Sequence, residues 1–130
     1  ISAFGEHVIA NEVEKALKQS LKRSLLKVNE FTVAPLINPK KGLPFHQWWV
    51  EFENTPKKEE VERLASSLDK NMQMQNAYYK DLVEGKVLKK LEIIVLKKDT
   101  FKKYMKKKGK LGGQNKLPRL SNDRKIVEQI

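Results

Sequence analysis

The nine residues Phe45–Glu53 constrain this chain more than any other segment. They alternate, with His46, Trp48, Val50 and Phe52 on one side and Gln47, Trp49, Glu51 and Glu53, mostly polar, on the other. A period of two is the mark of a strand that buries one face and solvates the other. Such a strand needs partners in a sheet and a helical layer against its apolar side. The next residues supply both. Thr55-Pro56 offers an N-cap and a proline at the first helical position, and Val61, Leu64, Ala65, Leu68 and Met72 keep helical spacing on a long helix that runs to Tyr79. Gly85 breaks the chain, and Leu88–Leu96 reads as a strand whose run Ile93-Ile94-Val95-Leu96 predicts burial on both faces, hence a central position.

The flanks extend this pattern. Apolar residues on both sides of Gly5-Glu6 predict a short hairpin over Ile1–Ile9. Asn11 with Glu14 reads as a capping box, opening a helix whose buried stripe is Val13, Leu17, Leu21 and Leu25, with Ala16 and Val28 on the same side. Phe31–Ile37 is rich in strand formers, but Pro35 lacks a ladder donor and places it at a sheet edge or a strand end. Asn38–Pro44 is a turn. Thr100 caps a shorter helix bearing Phe101, Tyr104 and Met105, which Gly109 ends. The remainder reads as loop until a short terminal helix near Asn122. The order predicts an α+β fold: a small mixed β-sheet flanked by helices, with an N-terminal hairpin, all in a single domain over residues 1–130.

Composition narrows the function. A chain of 130 residues is the size of one ordinary domain, and its longest apolar run falls far short of the roughly 20 residues a membrane span needs. The absence of cysteine removes disulfides, thiolate catalysis and thiolate-bound zinc, and fits a reducing compartment. The first residue is Ile rather than Met with no leader after it, which predicts a piece of something longer. The formal charge is +11, from 27 Lys+Arg against 16 Asp+Glu. Residues 1–85 are balanced at 12 basic and 12 acidic side chains, whereas residues 86–110 hold 11 Lys against Glu92 and Asp99. The excess is therefore one lysine-rich segment on a neutral body. It suits a phosphate-binding or acidic-partner surface, and equally a solvated helix whose terminal lysines favour the dipole. Arginine is absent from it and its aromatics are needed for the core, which disfavours base-specific nucleic-acid recognition.

Few residues invite catalysis. His7 and His46 are the only histidines and have no metal-ligand spacing, and no nucleophile elbow occurs. Glu51 and Glu53 share a strand face as a carboxylate pair would, but a solvated polar face accounts for them. The loop Gly112–Arg119 is more specific. Its two glycines permit close backbone approach, Pro118 stiffens the exit, and Lys116 and Arg119 are presented three residues apart. Such a loop can reach an anion; it can also merely end the preceding element.

Residues 112–125 (GGQNKLPRLSNDRK), with 1–17 (ISAFGEHVIANEVEKAL), 46–53 (HQWWVEFE) and 68–82 (LDKNMQMQNAYYKDL), closely resemble the C-terminal domain of the auxin-responsive Gretchen Hagen family of acyl-acid amido synthetases, bacterial branch. The resemblance covers essentially the whole chain. It implies the lid of a firefly-luciferase-like adenylate-forming ligase, cytoplasmic, whose N-terminal domain binds ATP with Mg2+ and a carboxylic acid. An acyl-adenylate forms and an amine or amino acid then displaces AMP. By motif, the resemblance makes Lys116 the catalytic cation and Gln114 and Arg119 its orienting or phosphate-side neighbours, and it puts Gly5 and Glu6 in the loop that leads into the lid, near the ATP site. His7, beside that loop, is better explained by packing. No phosphate-cradling loop occurs in these residues, so the chain alone is expected to be inactive, with the enzyme's own N-terminal domain as its partner. The alternative, from another class, is a lysine-rich nucleic-acid or acidic-partner binding module.

Overall fold

The computed structural model describes residues 6–108, 117–121 and 123–130. Three strands, β1 (Val28–Leu36), β2 (Phe45–Phe52) and β3 (Glu92–Leu96), form one sheet in the order β1-β2-β3. Four helices are described, α1 (Ala10–Leu21), α2 (Lys58–Gln75), α3 (Ala77–Glu84) and α4 (Thr100–Lys107), with a 3-10 turn at Val127–Gln129. β1 and β2 are antiparallel, whereas β2 and β3 are parallel. The parallel pair requires a crossover, and α2 with α3 provides it. The mixed sheet and flanking helices are the α+β arrangement expected. None of the described helices is long and apolar enough to cross a membrane.

The alternation in β2 does what its pattern predicted. Trp48, Val50 and Phe52 join Phe31 and Val33 of β1 in one core with Val13, Ala16 and Leu17 of α1 and Leu64, Leu68 and Met72 of α2. Phe31 stacks on Trp48 at 5.7 Å between ring centroids with 10° between planes. The opposite face is partly covered, with Gln47 and Trp49 half-buried. Glu51, expected to face water, is buried: its Oε1 accepts from the Phe101 N–H at 2.9 Å and its Oε2 from Asn29 Nδ2 at 3.3 Å, so it holds the first turn of α4 to the sheet. Glu53 is exposed, and the two form no buried carboxylate pair.

Several local expectations move. α1 starts at Ala10, with Glu12 accepting from the Ile9 N–H at 3.1 Å, so Glu12 rather than Glu14 closes the cap. It stops at Leu21 because a turn follows, in which the Ser24 N–H reaches Leu21 O at 3.0 Å and the Ser24 hydroxyl takes the Leu26 N–H at 2.9 Å. Leu25 is consequently 96% exposed and Val28 belongs to β1. α2 begins after Thr55-Pro56, with Lys57 as N-cap and Glu60 accepting its N–H at 2.9 Å. The long helix breaks at Asn76, whose extended backbone (φ −142°, ψ 107°) ends α2 and whose Oδ1 caps α3 through the Tyr79 N–H at 2.8 Å. β3 is an edge strand, not a central one: β2 lies between the other two, and Val95 is 41% exposed. Asp99 (φ 69°) is the N-cap of α4, and Thr100 is its first residue. The terminal helix shrinks to the 3-10 turn, with Asn122 outside the described residues. The hairpin expected over 1–9 lies mostly outside them too, and residues 6–9 are not in a strand.

A polar network crosses the helical layer. Asp69 Oδ1 accepts from the Tyr79 hydroxyl at 2.6 Å and the Leu91 N–H at 3.1 Å, and Oδ2 accepts from Gln73 Nε2 at 2.7 Å. Burial, reinforced by the Asp69 carboxylate, pushes the Tyr79 phenol far above the ordinary tyrosine range. The folded state therefore keeps the neutral phenol while the unfolded chain ionises above about pH 10, so this contribution is complete below pH 10 and declines above it by up to about 1.4 kcal/mol per pH unit. Tyr79→Phe is expected to lose about 1–3 kcal/mol at pH 8, with the gap to wild type narrowing at pH 11. Urea midpoints of both proteins at the two pH values check this.

Candidate functional site

The outer edge of β1 is where the chain's C-terminal segment returns. Val33 donates its N–H to Arg119 O at 2.8 Å and accepts from the Ser121 N–H at 2.9 Å, making an isolated parallel bridge between Val33 and Leu120. The Thr32 hydroxyl donates to Pro118 O at 2.7 Å, and Leu117 is buried. β1 can receive this segment because it is an edge strand, the placement Pro35 predicted. Three residues after Ser121, Arg124 Nη1 donates to Pro35 O at 3.1 Å and Gln47 Oε1 at 2.8 Å.

Arg119 has a dense set of partners. Its Nε lies 3.3 Å from Glu14 Oε1 on α1, its Nη1 pairs with Glu30 of β1 and reaches Phe31 O at 3.5 Å, and its guanidinium carbon lies 4.8 Å from the Phe31 ring centroid. These groups line a cleft of about 290 Å³ between α1 and β1, with Leu17, Leu21 and Val28 as its apolar part. A planar guanidinium with several fixed donors suits such a junction of two carboxylates, a carbonyl and a ring.

Glu6 is wholly buried, with Oε2 2.8 Å from His46 Nε2, and the His46 ring lies 5.2 Å from that of Tyr79. His46 is opposite Pro35 in the β1–β2 register. The N-terminal Glu6 and the C-terminal Arg124 thus meet the same end of this strand pair. His7 (φ 49°) is exposed and meets the ring of exposed Tyr78 edge-on at 6.1 Å. Gly5, Gln114 and Lys116 lie outside the described residues. Among the described residues no group of three His, Asp or Glu is arranged to hold a metal ion. Sequence reasoning missed Glu14, Glu30 and Thr32 as partners of the 117–121 segment. It also missed Arg124, whose Gln47 contact spans 77 residues.

The lysine-rich segment is as exposed as its pattern implied. Lys97, Lys98, Lys102, Lys103, Lys106, Lys107 and Lys108 are all exposed on and around α4, and none makes an ion pair among the described residues. Lys89, paired with Glu92, also lies over the Phe45 ring at 4.2 Å.

A family model described as the GH3 family C-terminal domain matches residues 11–125. No curated protein sequence matches the chain. Among solved structures, it is similar to one titled "GH3.15 acyl acid amido synthetase", with a TM-score of 0.72 and 18% identity over 92% of this chain and 23% of that one. A second, titled "AtGH3.15 acyl acid amido synthetase in complex with 2,4-DB", gives a TM-score of 0.69 and 18% identity over 92% of this chain and 22% of that one. The chain thus spans less than a quarter of the length of either.

Proposed function

Because the chain belongs to the GH3 family, as its C-terminal domain, we propose that it is the lid of an ATP-dependent acyl-acid amido synthetase. The enzyme would join a carboxylic acid to an amine or amino acid through an acyl-adenylate, in the cytoplasm. The observation that supports this most is the family match over residues 11–125, which takes in the loop carrying Gln114, Lys116 and Arg119. The titles of the structural neighbours, both acyl acid amido synthetases, agree with it. ATP, as substrate, and Mg2+ are assigned to the N-terminal domain on the family resemblance.

In this reading Lys116 is the catalytic residue of the lid. A cation brought to the acid's carboxylate and the ATP α-phosphate offsets the charge that develops as they react, a preorganised contact often worth ~10²-fold. By the family resemblance, Gln114 and Gly5 belong to the ATP side of the reaction as well. Glu6, just after Gly5, is buried against His46, so its part is to fix where the chain enters the domain. In the full-length enzyme, Lys116→Ala is expected to slow acid-dependent pyrophosphate exchange by about tenfold or more while the domain stays folded. Exchange at the wild-type rate removes Lys116 from the mechanism.

The exposed lysines around α4 favour a second reading, a docking surface for nucleic acid or an acidic partner. It requires binding to a duplex or single strand that falls steeply with salt, as each neutralised phosphate releases a counterion. No retention at low salt disposes of it.

A further inference from the structure

We infer that the cleft between the end of α1 and the first turns of α2 binds a small organic phosphate. The inference uses described residues only and does not depend on the lid reading.

Donors outnumber acceptors in this cleft. Its volume is about 400 Å³, with Arg23, Ser24 and Leu25, from the turn after α1, on one side and Glu60, Arg63, Leu64 and Ser67 of α2 on the other. Neither arginine makes an ion pair among the described residues. The Ser24 hydroxyl accepts the Leu26 N–H at 2.9 Å, which leaves its own hydrogen to donate. Ser67 meets Asn71 Nδ2 at 3.0 Å through its backbone carbonyl, so its hydroxyl is a second donor. Ser20, also in the lining, is already spent: it donates to Ala16 O at 2.8 Å and accepts from Asn71 Nδ2 at 2.9 Å.

The sign of the charge suits an anion. Two guanidinium groups line the cleft against one carboxylate, that of Glu60, whose Oε1 is engaged with the Lys57 N–H at 2.9 Å. The adjoining chain adds Lys22, Lys27, Lys57 and Lys58 against Glu53, Glu59 and Glu62, which leaves that sign unchanged. The negative end of α1 lies here as well, but Gln19 O and Leu21 O are taken by the Lys22 and Ser24 N–H groups at 3.4 and 3.0 Å.

The donor set and the volume narrow the ligand. Two guanidinium forks and two hydroxyls exceed what the two oxygens of a carboxylate can use, whereas a phosphate monoester brings three. Arginine, unlike the lysines around α4, meets such oxygens in pairs. Clefts of roughly 300–1,000 Å³ hold small organic ligands, and inorganic phosphate alone would leave most of this one empty. Leu25, almost fully exposed at the rim, and Leu64 give the organic part an apolar surface to cover.

Titration calorimetry of the full-length protein at low salt, with phenyl phosphate and with inorganic phosphate, tests this. Phenyl phosphate is expected to bind about fivefold or more tightly, because its ring covers apolar surface. Arg23→Gln and Arg63→Gln should each weaken it about tenfold, and Leu25→Ser should erase the preference for the phenyl compound while inorganic phosphate binds as before. All three residues are exposed, and unchanged urea midpoints show that the variants keep the fold. Lys103→Gln with Lys107→Gln, on α4, should leave both affinities as in wild type. Any other phosphate site of the full-length protein is unaffected by the two arginine changes, so only this cleft accounts for a difference. No binding of either compound, or wild-type affinity when both arginines are glutamine, overturns the inference. So does a loss caused by the α4 changes, which would make the lysine band the anion site. Inorganic phosphate binding as tightly as phenyl phosphate overturns it too, since the cleft would then hold a bare anion.

Discussion

Replacing Asp69 with alanine is expected to cost the domain about 3–5 kcal/mol, a fifth or more of the roughly 5–15 kcal/mol of an ordinary domain. Asp69 is 2% exposed and its Oδ1 serves two buried donors, the Tyr79 hydroxyl and the Leu91 N–H. It therefore ties α2 to α3 and to the residues that lead into β3. Alanine leaves both donors in the interior without an acceptor, at about 1–3 kcal/mol each, and opens space where the carboxylate stood. Asp69→Asn separates hydrogen bonding from charge. It retains an oxygen at Oδ1, and the Gln73 amide can turn to meet the new NH2 group, so the loss should stay below about 2 kcal/mol. Urea unfolding of the three proteins measures both values. A loss within about 1 kcal/mol for the alanine variant would mean that water or a backbone carbonyl replaces the carboxylate.

Asp69 also shows where the sequence stops being informative. It sits among polar residues of α2, and nothing within the helix marks it as interior; its two buried partners are 10 and 22 residues away, brought in by the break at Asn76. That break was readable, because an Asn before Ala77-Tyr78 is a preferred N-cap, but the helical period continues across it and the period dominated. The alternation of β2, the apolar stripe of α2 and the edge position of β1 were legible, since each follows from a local rule: period two, helical spacing, a proline without a donor. The end of α1 was not, because Leu25 continues the stripe and only the need to begin β1 at Val28 turns the chain away. β3 was misplaced because an apolar run signals burial without saying by what. At the candidate site, resemblance supplied the Lys116 loop, but neither pattern nor motif pointed to Glu14 or Glu30. Glu14 lies 105 residues from Arg119, and the pairing exists only because an edge strand of the sheet accepts the returning segment beside α1.

The core under that segment carries the other large effect. Trp48 is 1% exposed on the central strand, opposite Val33 on one side and Ile93 on the other, and stacked on Phe31. Trp48→Ala removes the largest buried side chain from the centre of the sheet and is expected to cost about 3–5 kcal/mol, because a cavity of that size collapses only in part. Trp48→Phe keeps a ring against Phe31 and should cost less than about 3 kcal/mol. The consequence reaches the candidate site, since Phe31 supports the Arg119 guanidinium through its ring and accepts from it through its carbonyl. With Trp48 truncated, Phe31 has room to tilt and Arg119 loses one wall of its seat. Urea unfolding checks the stability loss. Pyrophosphate exchange by the full-length enzyme, at a temperature where the variants are still folded, checks the coupling. Trp48→Ala should exchange more slowly than Trp48→Phe, because Phe31, which Trp48 supports, seats Arg119 in the segment that returns to β1.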